Sequence, residues 1–336
     1  MADAPTQTTE AMSREWNWHP ALPIFEAPFW DWPNRPLESL RWLLRAYLPL
    51  SDRAIYLAFA VAVAFWLQPV TEAQATLSAD WAVVVLIRNY VALLVVAGGL
   101  HCWFYVIRGQ GDLDKYDPRA MLADSQRLFR FGRQTWDNMY YSLASGVPIA
   151  SAYEVGARWM YATGGIDMIT FDTSPIWFVV LFPLVTIWQS GHFYFVHRAL
   201  HWRPLYKHIH ALHHRAVNPG PWSGMSMHPV EHIGYFSTLL LFLVVASHPA
   251  HMLFLLYWQL LGAPSAHSGY EAVRIKGIKV LAVGGFFHQL HHRHFECNYG
   301  GTEMPWDRWM KTKHDGSEDA TREIRLRMRE QRKAKA

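Results

Sequence analysis

Sulfur chemistry is nearly absent from this chain. Cys102 and Cys297 are its two cysteines among 336 residues. They offer no disulfide framework and no thiolate metal site, and both are expected to stay reduced. A glycine-rich dinucleotide loop, a P-loop and a basic–aromatic nucleic-acid signature are also missing, so no nucleic-acid partner is expected. The first twenty residues hold no apolar run, which argues against a cleavable signal pattern and for a disordered start. Charge is scarce, at 17% of residues, and residues 54–67 (AIYLAFAVAVAFWL) carry none at all.

What replaces charge is apolar and aromatic: 51% hydrophobic residues, with 17 Trp. These residues are clumped rather than spaced with the period of a soluble helix. Besides 54–67, residues 82–107 are interrupted only by Arg88, Asn89 and His101, and residues 175–196 carry no Asp, Glu, Lys or Arg, with His192 their one histidine. Residues 138–162 form a weaker span broken by Glu154 and Arg158. A bilayer-crossing helix needs about 20 mostly apolar residues. Residues 233–247 and 252–263 are each too short, and SHPAH at 247–251 separates them, so they suggest a re-entrant helical hairpin. The expected fold is an all-α integral membrane bundle of about four transmembrane helices plus that hairpin, topped by a His-rich cap.

Basic residues set the expected orientation. Arg14, Arg35, Arg41, Arg45 and Arg53 precede the first span, and Arg108, Lys115, Arg119, Arg127, Arg130 and Arg133 follow the second. Loop 69–80 has only Glu72 and Asp80, and loop 163–174 only Asp167 and Asp172. The positive-inside rule then puts the N-terminus, residues 108–133 and everything from His197 onward in the cytoplasm. The expected organisation is a cytoplasmic arm (1–50), transmembrane helices (51–196), a metal-binding catalytic region (197–315) and a basic tail (316–336). Residues 322–335 hold seven Arg or Lys against two Glu, which reads as a solvated helix with a frayed end.

All of the 19 histidines except His19, His101 and His314 lie between His192 and His294. Residues 210–214 (HALHH) and 288–292 (HQLHH) repeat one pattern, and HRALH at 197–201 precedes them. On a helix, positions i, i+3 and i+4 share a face. That predicts three same-face groups: His197 with His201; His210, His213 and His214; His288, His291 and His292. Imidazole is a common metal ligand, and empty clustered imidazoles are costly to bury. Eight ligands exceed one ion and suit two; His192, His228, His232 and His267 are further candidates. Ligand type alone admits zinc, copper, iron or nickel. His19, His101, His208, His248, His251 and His314 read as packed or solvated side chains, and His294 fits either role. HPVEH at 228–232 matches an inverted zinc-protease pattern, but Pro229 suggests a helix start. Glu231 reads better as a partner orienting a ligand histidine.

HRALH (197–201), HALHH (210–214), GPWSGMSMHPVEH (220–232), HSGYE (267–271) and HQLHHRHFECNYGG (288–301) together resemble the fatty acid hydroxylase/sterol desaturase superfamily, most of all its bacterial-type sterol desaturases. The resemblance spans roughly residues 180–315. It implies a membrane oxidoreductase with two iron ions, using O2 and electrons from a separate carrier to hydroxylate or desaturate a lipid. His267 matches the lone His of the His-Ser-Gly segment. Some relatives carry a further His where this chain has Ala263, and a Gly-Thr where Trp309-Met310 follows Asp307-Arg308. Trp202, Trp222, Phe286 and Phe287 are candidates to wall an apolar substrate cavity. A reading from another class, a His-rich membrane metal transporter or sensor, needs polar residues along a pore; the long spans show only Arg88, His101 and His192.

Overall fold

The computed structural model describes residues 16–47, 51–121 and 127–333. Arg14, most of the expected disordered start and the last three residues of the basic tail lie outside them. Helices dominate. In chain order they are α1 (Pro36–Tyr47), α2 (Asp52–Ala62, continued by a π turn Val63–Leu67), α3 (Ala79–Val106), α4 (residues 134–162), α5 (Pro175–Leu200), α6 (Arg203–His208), α7 (Pro229–Phe236), α8 (Pro249–Ala266), α9 (Phe286–His294), α10 (Trp306–Trp309) and α11 (Glu318–Lys333). The all-helical expectation misses one antiparallel hairpin, β1 (Ala272–Ile275) and β2 (Ile278–Ala282). Its two-residue turn, Lys276-Gly277, has positive φ at both positions, the geometry that matches strand twist.

Proline starts four of these helices, α1 at Pro36 among them. Pro175, Pro229 and Pro249 each sit in the first turn, where a missing N–H costs nothing. His228 and His248 cap two of them by accepting from Val230 N and Ala250 N. This gives two histidines of the 192–294 region structural work at helix N-termini.

α8 is apolar on every side, as a helix at the centre of a bundle must be. Met252, Leu253, Leu256 and Leu260 are fully buried, against α2, α4 and α5. A helical hairpin covers these residues, with Pro229–Leu243 running away from the histidines and α8 returning, but it is not the shallow re-entrant one expected. Its turn does not stop partway. Ser247 N donates to Asp167 O, Ile169 N donates to Ser247 O, and Trp177 Nε1 donates to Ala246 O. Loop 69–80 reaches the same end, where Trp159 Nε1 donates to Ala75 O. Loops 69–80 and 163–174 therefore lie together, opposite the histidine motifs.

Among the described residues two helices, α3 and α5, are long and apolar enough to cross a bilayer; only 33% and 28% of their most apolar windows are buried. Val83, Ile87, Val91 and Val95 on α3, and Ile176, Val180, Leu184 and Ile187 on α5, remain exposed. An apolar belt of this extent is foreign to a water-facing surface and suits lipid.

The charges that interrupt the apolar spans find one another. Arg88 of α3 pairs with Glu154 of α4, and Arg158 Nε donates to the same carboxylate at 2.6 Å. Asn89 Nδ2 adds a bond at 2.9 Å, and Arg158 Nη1 donates to Gln68 O at 2.8 Å. Glu154 and Arg158 are fully buried. Removing one member of such a cluster leaves uncompensated charge in an apolar interior. Glu154→Ala is expected to cost about 3–5 kcal/mol, read as a lower unfolding midpoint in detergent, with Glu154→Gln milder. An unchanged midpoint in the alanine variant would show that this cluster does not hold α3 to α4.

Candidate metal centre

Nine histidines converge into two neighbouring groups. Centre 1 comprises His197, His201, His210, His214 and His291; centre 2 comprises His213, His267, His288 and His292. Within each group, one nitrogen per imidazole lies within 4.8 Å of all the others. α5 delivers His197, and His201 follows at its C-cap. A 3-10 turn, His210–Arg215, carries the first repeated box, and α9 carries the second. His267 caps the C-terminus of α8.

The boxes do not present three imidazoles to one point, as helical spacing predicts. Each box divides. His210 and His214 join centre 1 while His213 joins centre 2; His288 and His292 join centre 2 while His291 joins centre 1. Ring geometry gives the reason. His210 and His213 lie nearly parallel (22°) with centroids 5.4 Å apart, and so do His288 and His291 (22°, 5.3 Å). Parallel rings side by side aim at neighbouring points. The i,i+4 partners are nearly perpendicular, 82° for His210–His214 and 77° for His288–His292, and converge.

The outer nitrogens are tied down. Nδ1–H of His197 donates to Tyr299 O (2.7 Å), of His291 to Cys297 O (2.6 Å), of His267 to Ala263 O (2.8 Å) and of His213 to Ser226 O (3.3 Å). His210 Nδ1 donates to Glu231 Oε1 at 2.7 Å, the orienting role expected of that carboxylate. Because carbonyls only accept, these bonds put the proton on Nδ1 and leave an Nε2 lone pair facing inward. The inward nitrogens crowd together: 3.2 Å for His197–His210, 3.0 Å for His210–His214, 3.1 Å for His214–His291, and 3.0 Å and 3.1 Å from His267 to His288 and His292. Lone pairs at that separation repel unless a cation lies between them. Nitrogens about 2.1 Å from a shared ion and at right angles sit about 3 Å apart. Burial also holds the imidazoles neutral, the form that binds metal: His213 is pushed down to about 4, and His201, His210, His214, His288, His291 and His292 fall well below their usual value. The residues fit two transition-metal ions.

Three candidates stand outside both groups. His232 is locked between Ser145 Oγ (2.8 Å) and Met225 O (3.2 Å), His192 meets Ser237 Oγ (2.9 Å), and His228 is the cap of α7. Neither His228 nor His232 makes up for the histidine that Ala263 replaces; centre 2 has four imidazoles against five in centre 1. His294 stacks on His314 (4.7 Å, 16°), away from both centres.

Two supports were not legible as site residues. Asp307 accepts from Tyr299 N, Gly300 N and Thr312 Oγ1, which holds the loop whose carbonyl orients His197. Gly224 and Gly285 let backbone press on the end of α8: a Cβ at either would come within 2.3 Å or 2.1 Å of Ala263 O or Ala266 O. A side chain there would displace the turn carrying His267. The Asp307-Arg308 pair and the motif at 220–232 marked Asp307 and Gly224 without saying what they hold, and no motif marked Gly285.

A cavity of about 490 Å³ reaches the centres, meeting His197 and His210 of centre 1 and His213, His267 and His288 of centre 2. Phe193, Met227, Tyr235, Trp258, Phe286 and Phe287 line it. Trp222 is buried elsewhere in the core and Trp202 stands exposed, so two of the four aromatic candidates wall the cavity. Glu231 lines it too; burial pushes its carboxyl up to about 8, and Oε2 has no hydrogen-bond partner.

Residues 182–312 match the family model described as fatty acid hydroxylase. Methylsterol monooxygenase 1 of Danio rerio is 34% identical over 154 residues, 42% of this chain and 50% of that protein. Methylsterol monooxygenase 1 of Gallus gallus is 31% identical over 41% of this chain and 48% of that protein. The Delta(7)-sterol 5(6)-desaturase of Candida dubliniensis is 30% identical over 44% of this chain and 35% of that protein. The chain thus spans about half the length, or less, of these relatives. No solved structure matches it.

Proposed function

We propose that this chain, whose residues 182–312 match the fatty acid hydroxylase family model, is a membrane-bound di-iron oxidoreductase that uses O2 and electrons from a separate carrier to hydroxylate or desaturate a lipid. The observation that carries the reading is the meeting of nine imidazoles, in groups of five and four, beside a largely apolar cavity that touches five of them. The similarity to sterol monooxygenases and desaturases favours a sterol or another polycyclic or acyl lipid as substrate. Iron bound by these histidines would supply the oxygen activation that no side chain provides.

The chain's own contribution is positioning and exclusion of water. Phe193, Tyr235, Phe286 and Phe287 shape the cavity and keep it apolar beside the centres. Glu231 Oε1 fixes the His210 tautomer, and its unpartnered Oε2 is the atom at which a proton can be held beside the cavity. Backbone carbonyls of Cys297 and Tyr299 set the orientation of His291 and His197.

The topology extends the same reading. α3 and α5 cross the bilayer, 54–67 and 138–162 complete about four crossings, and the histidine cap faces the cytoplasm. Its support is the shared end of loops 69–80 and 163–174, which lack Lys and Arg, against the basic segments at the histidine end. The metal-transporter reading wants a polar path through the bundle; fully buried Leu253, Leu256 and Leu260 of α8 stand in that space instead.

Comparison of lipids from cells with and without the protein, by mass spectrometry, is the test. A lipid gaining one oxygen or losing two hydrogens only when the protein and iron are present is the expected result. An unchanged lipid profile alongside a protein holding two iron ions would refute the assignment of lipid oxidation.

A further inference from the structure

A second pocket, of about 340 Å³, shares no lining residue with the apolar cavity. Arg198, Trp202, Lys311 and Arg327 line it, and His201 and Tyr299 lie on its inner wall. Of the nine converging histidines, seven are buried; His288 faces the apolar cavity and His201 faces this pocket. His201 Nε2 is buried without a partner, and its ring lies 4.9 Å from those of Tyr299 and His291. Here a candidate metal ligand comes nearest to the surface outside the cavity.

The rim carries a charge excess. Arg198, Lys311 and Arg327 face one lining carboxylate, Glu296, which is engaged by the Tyr299 hydroxyl at 3.0 Å. Arg327 also pairs with Glu323 at 3.0 Å, and exposed Arg203 and Lys207 follow on α6. Within the basic rim, Trp202 is 66% exposed and Met310 39%. Exposed Trp and Met among Arg is the composition of a protein-binding patch rather than of a small-anion site.

We infer that this pocket is where an acidic one-electron carrier protein docks and passes electrons through His201 to centre 1. The inference rests on the di-iron reading above. Hydroxylation balances as RH + O2 + 2e⁻ + 2H⁺ giving ROH + H2O; desaturation takes the same two electrons and two protons and yields two waters. The carrier supplies those electrons one at a time, and the basic rim steers it.

The probe is reduced plant-type [2Fe–2S] ferredoxin, an acidic one-electron protein, mixed with the iron-loaded full chain in detergent. Reoxidation of the ferredoxin gives the transfer rate, and its binding to the metal-free chain is measured separately. Arg198→Glu with Lys311→Glu is expected to lower both rate and affinity about tenfold or more at low salt, while reduction by dithionite is unchanged. Lys311→Glu alone should show a smaller loss in the same direction, should the double variant fold poorly. Lys276→Glu, on the β-hairpin turn, should match wild type. Wild-type rates in the double variant, or equal damage from Lys276→Glu, would overturn the assignment. So would loss of binding to phosphatidylglycerol vesicles with ferredoxin transfer intact, which would give this face to lipid. Iron that dithionite cannot reduce in any variant would overturn the reading of the centre itself, and this inference with it.

Discussion

The variant His213→Ala/His292→Ala is expected to keep about one metal ion per chain, and His213→Ala/His214→Ala to keep less than one. The first pair comes from different boxes but the same centre; the second comes from one box and damages both centres. Centre 2 begins with four imidazoles, so losing two leaves too few for a closed site, while centre 1 keeps all five. In the second variant both centres lose a ligand: centre 1 falls to four imidazoles and holds its ion more weakly, and centre 2 falls to three and releases its own. Single variants should be graded. His292→Ala leaves three imidazoles and should release its ion, whereas His201→Ala leaves four and should weaken retention less. Lipid oxidation should fall more than about 100-fold in both double variants, beyond what loss of an orienting partner causes. Iron per chain by elemental analysis, with circular dichroism to confirm the helices, checks the claim. Greater metal loss in His213→Ala/His292→Ala than in His213→Ala/His214→Ala would mean that each box acts as one unit.

Glu231→Ala should lower metal affinity or activity about 10- to 100-fold without changing the helical content. Its Oε1 is the acceptor that sets His210 Nδ1–H, and no other carboxylate stands within the described centre. Without it, His210 is free to protonate on the inward nitrogen, the one 3.0 Å from His214 Nε2. Glu231→Gln retains an accepting oxygen and should recover most of the metal binding. Full iron content and activity in the alanine variant would show that the 210–215 turn alone orients the ring. A glutamine variant that binds metal but has lost activity would point to the unpartnered Oε2 as the atom that matters.

Much of this protein could be read before its structure. The uncharged run at 54–67 and the apolar stretches at 82–107 and 175–196 announce helices that keep apolar faces outward. All eight histidines of the HxxxH and HxxHH motifs, with His267, meet as a cluster. Glu231 orients a histidine, and the turn of the hairpin falls at residues 244–248, where SHPAH begins. These features follow from local facts: length of apolar run, proline at a helix start, and the types of side chain at fixed spacing.

Three decisions belong to the tertiary structure. Spacing says that i, i+3 and i+4 share a face, but it does not say where each ring edge aims. The 3-10 winding of His210–Arg215 and the approach of α9 split both boxes between centres. Whether His192, His228 and His232 are ligands depends on partners far away in sequence, such as Ser145, which lies 87 positions from the imidazole it holds. Arg88, Glu154 and Arg158 look like defects in apolar spans until α3 and α4 pack and make them one buried cluster. Sequence alone determined that this chain is helical, apolar-faced and rich in closely spaced imidazole, because those are properties of composition and local period. Only the fold decided which imidazoles converge, because the meeting of nitrogens is set by the packing of α5, the 210–215 turn, α8 and α9 around two neighbouring points.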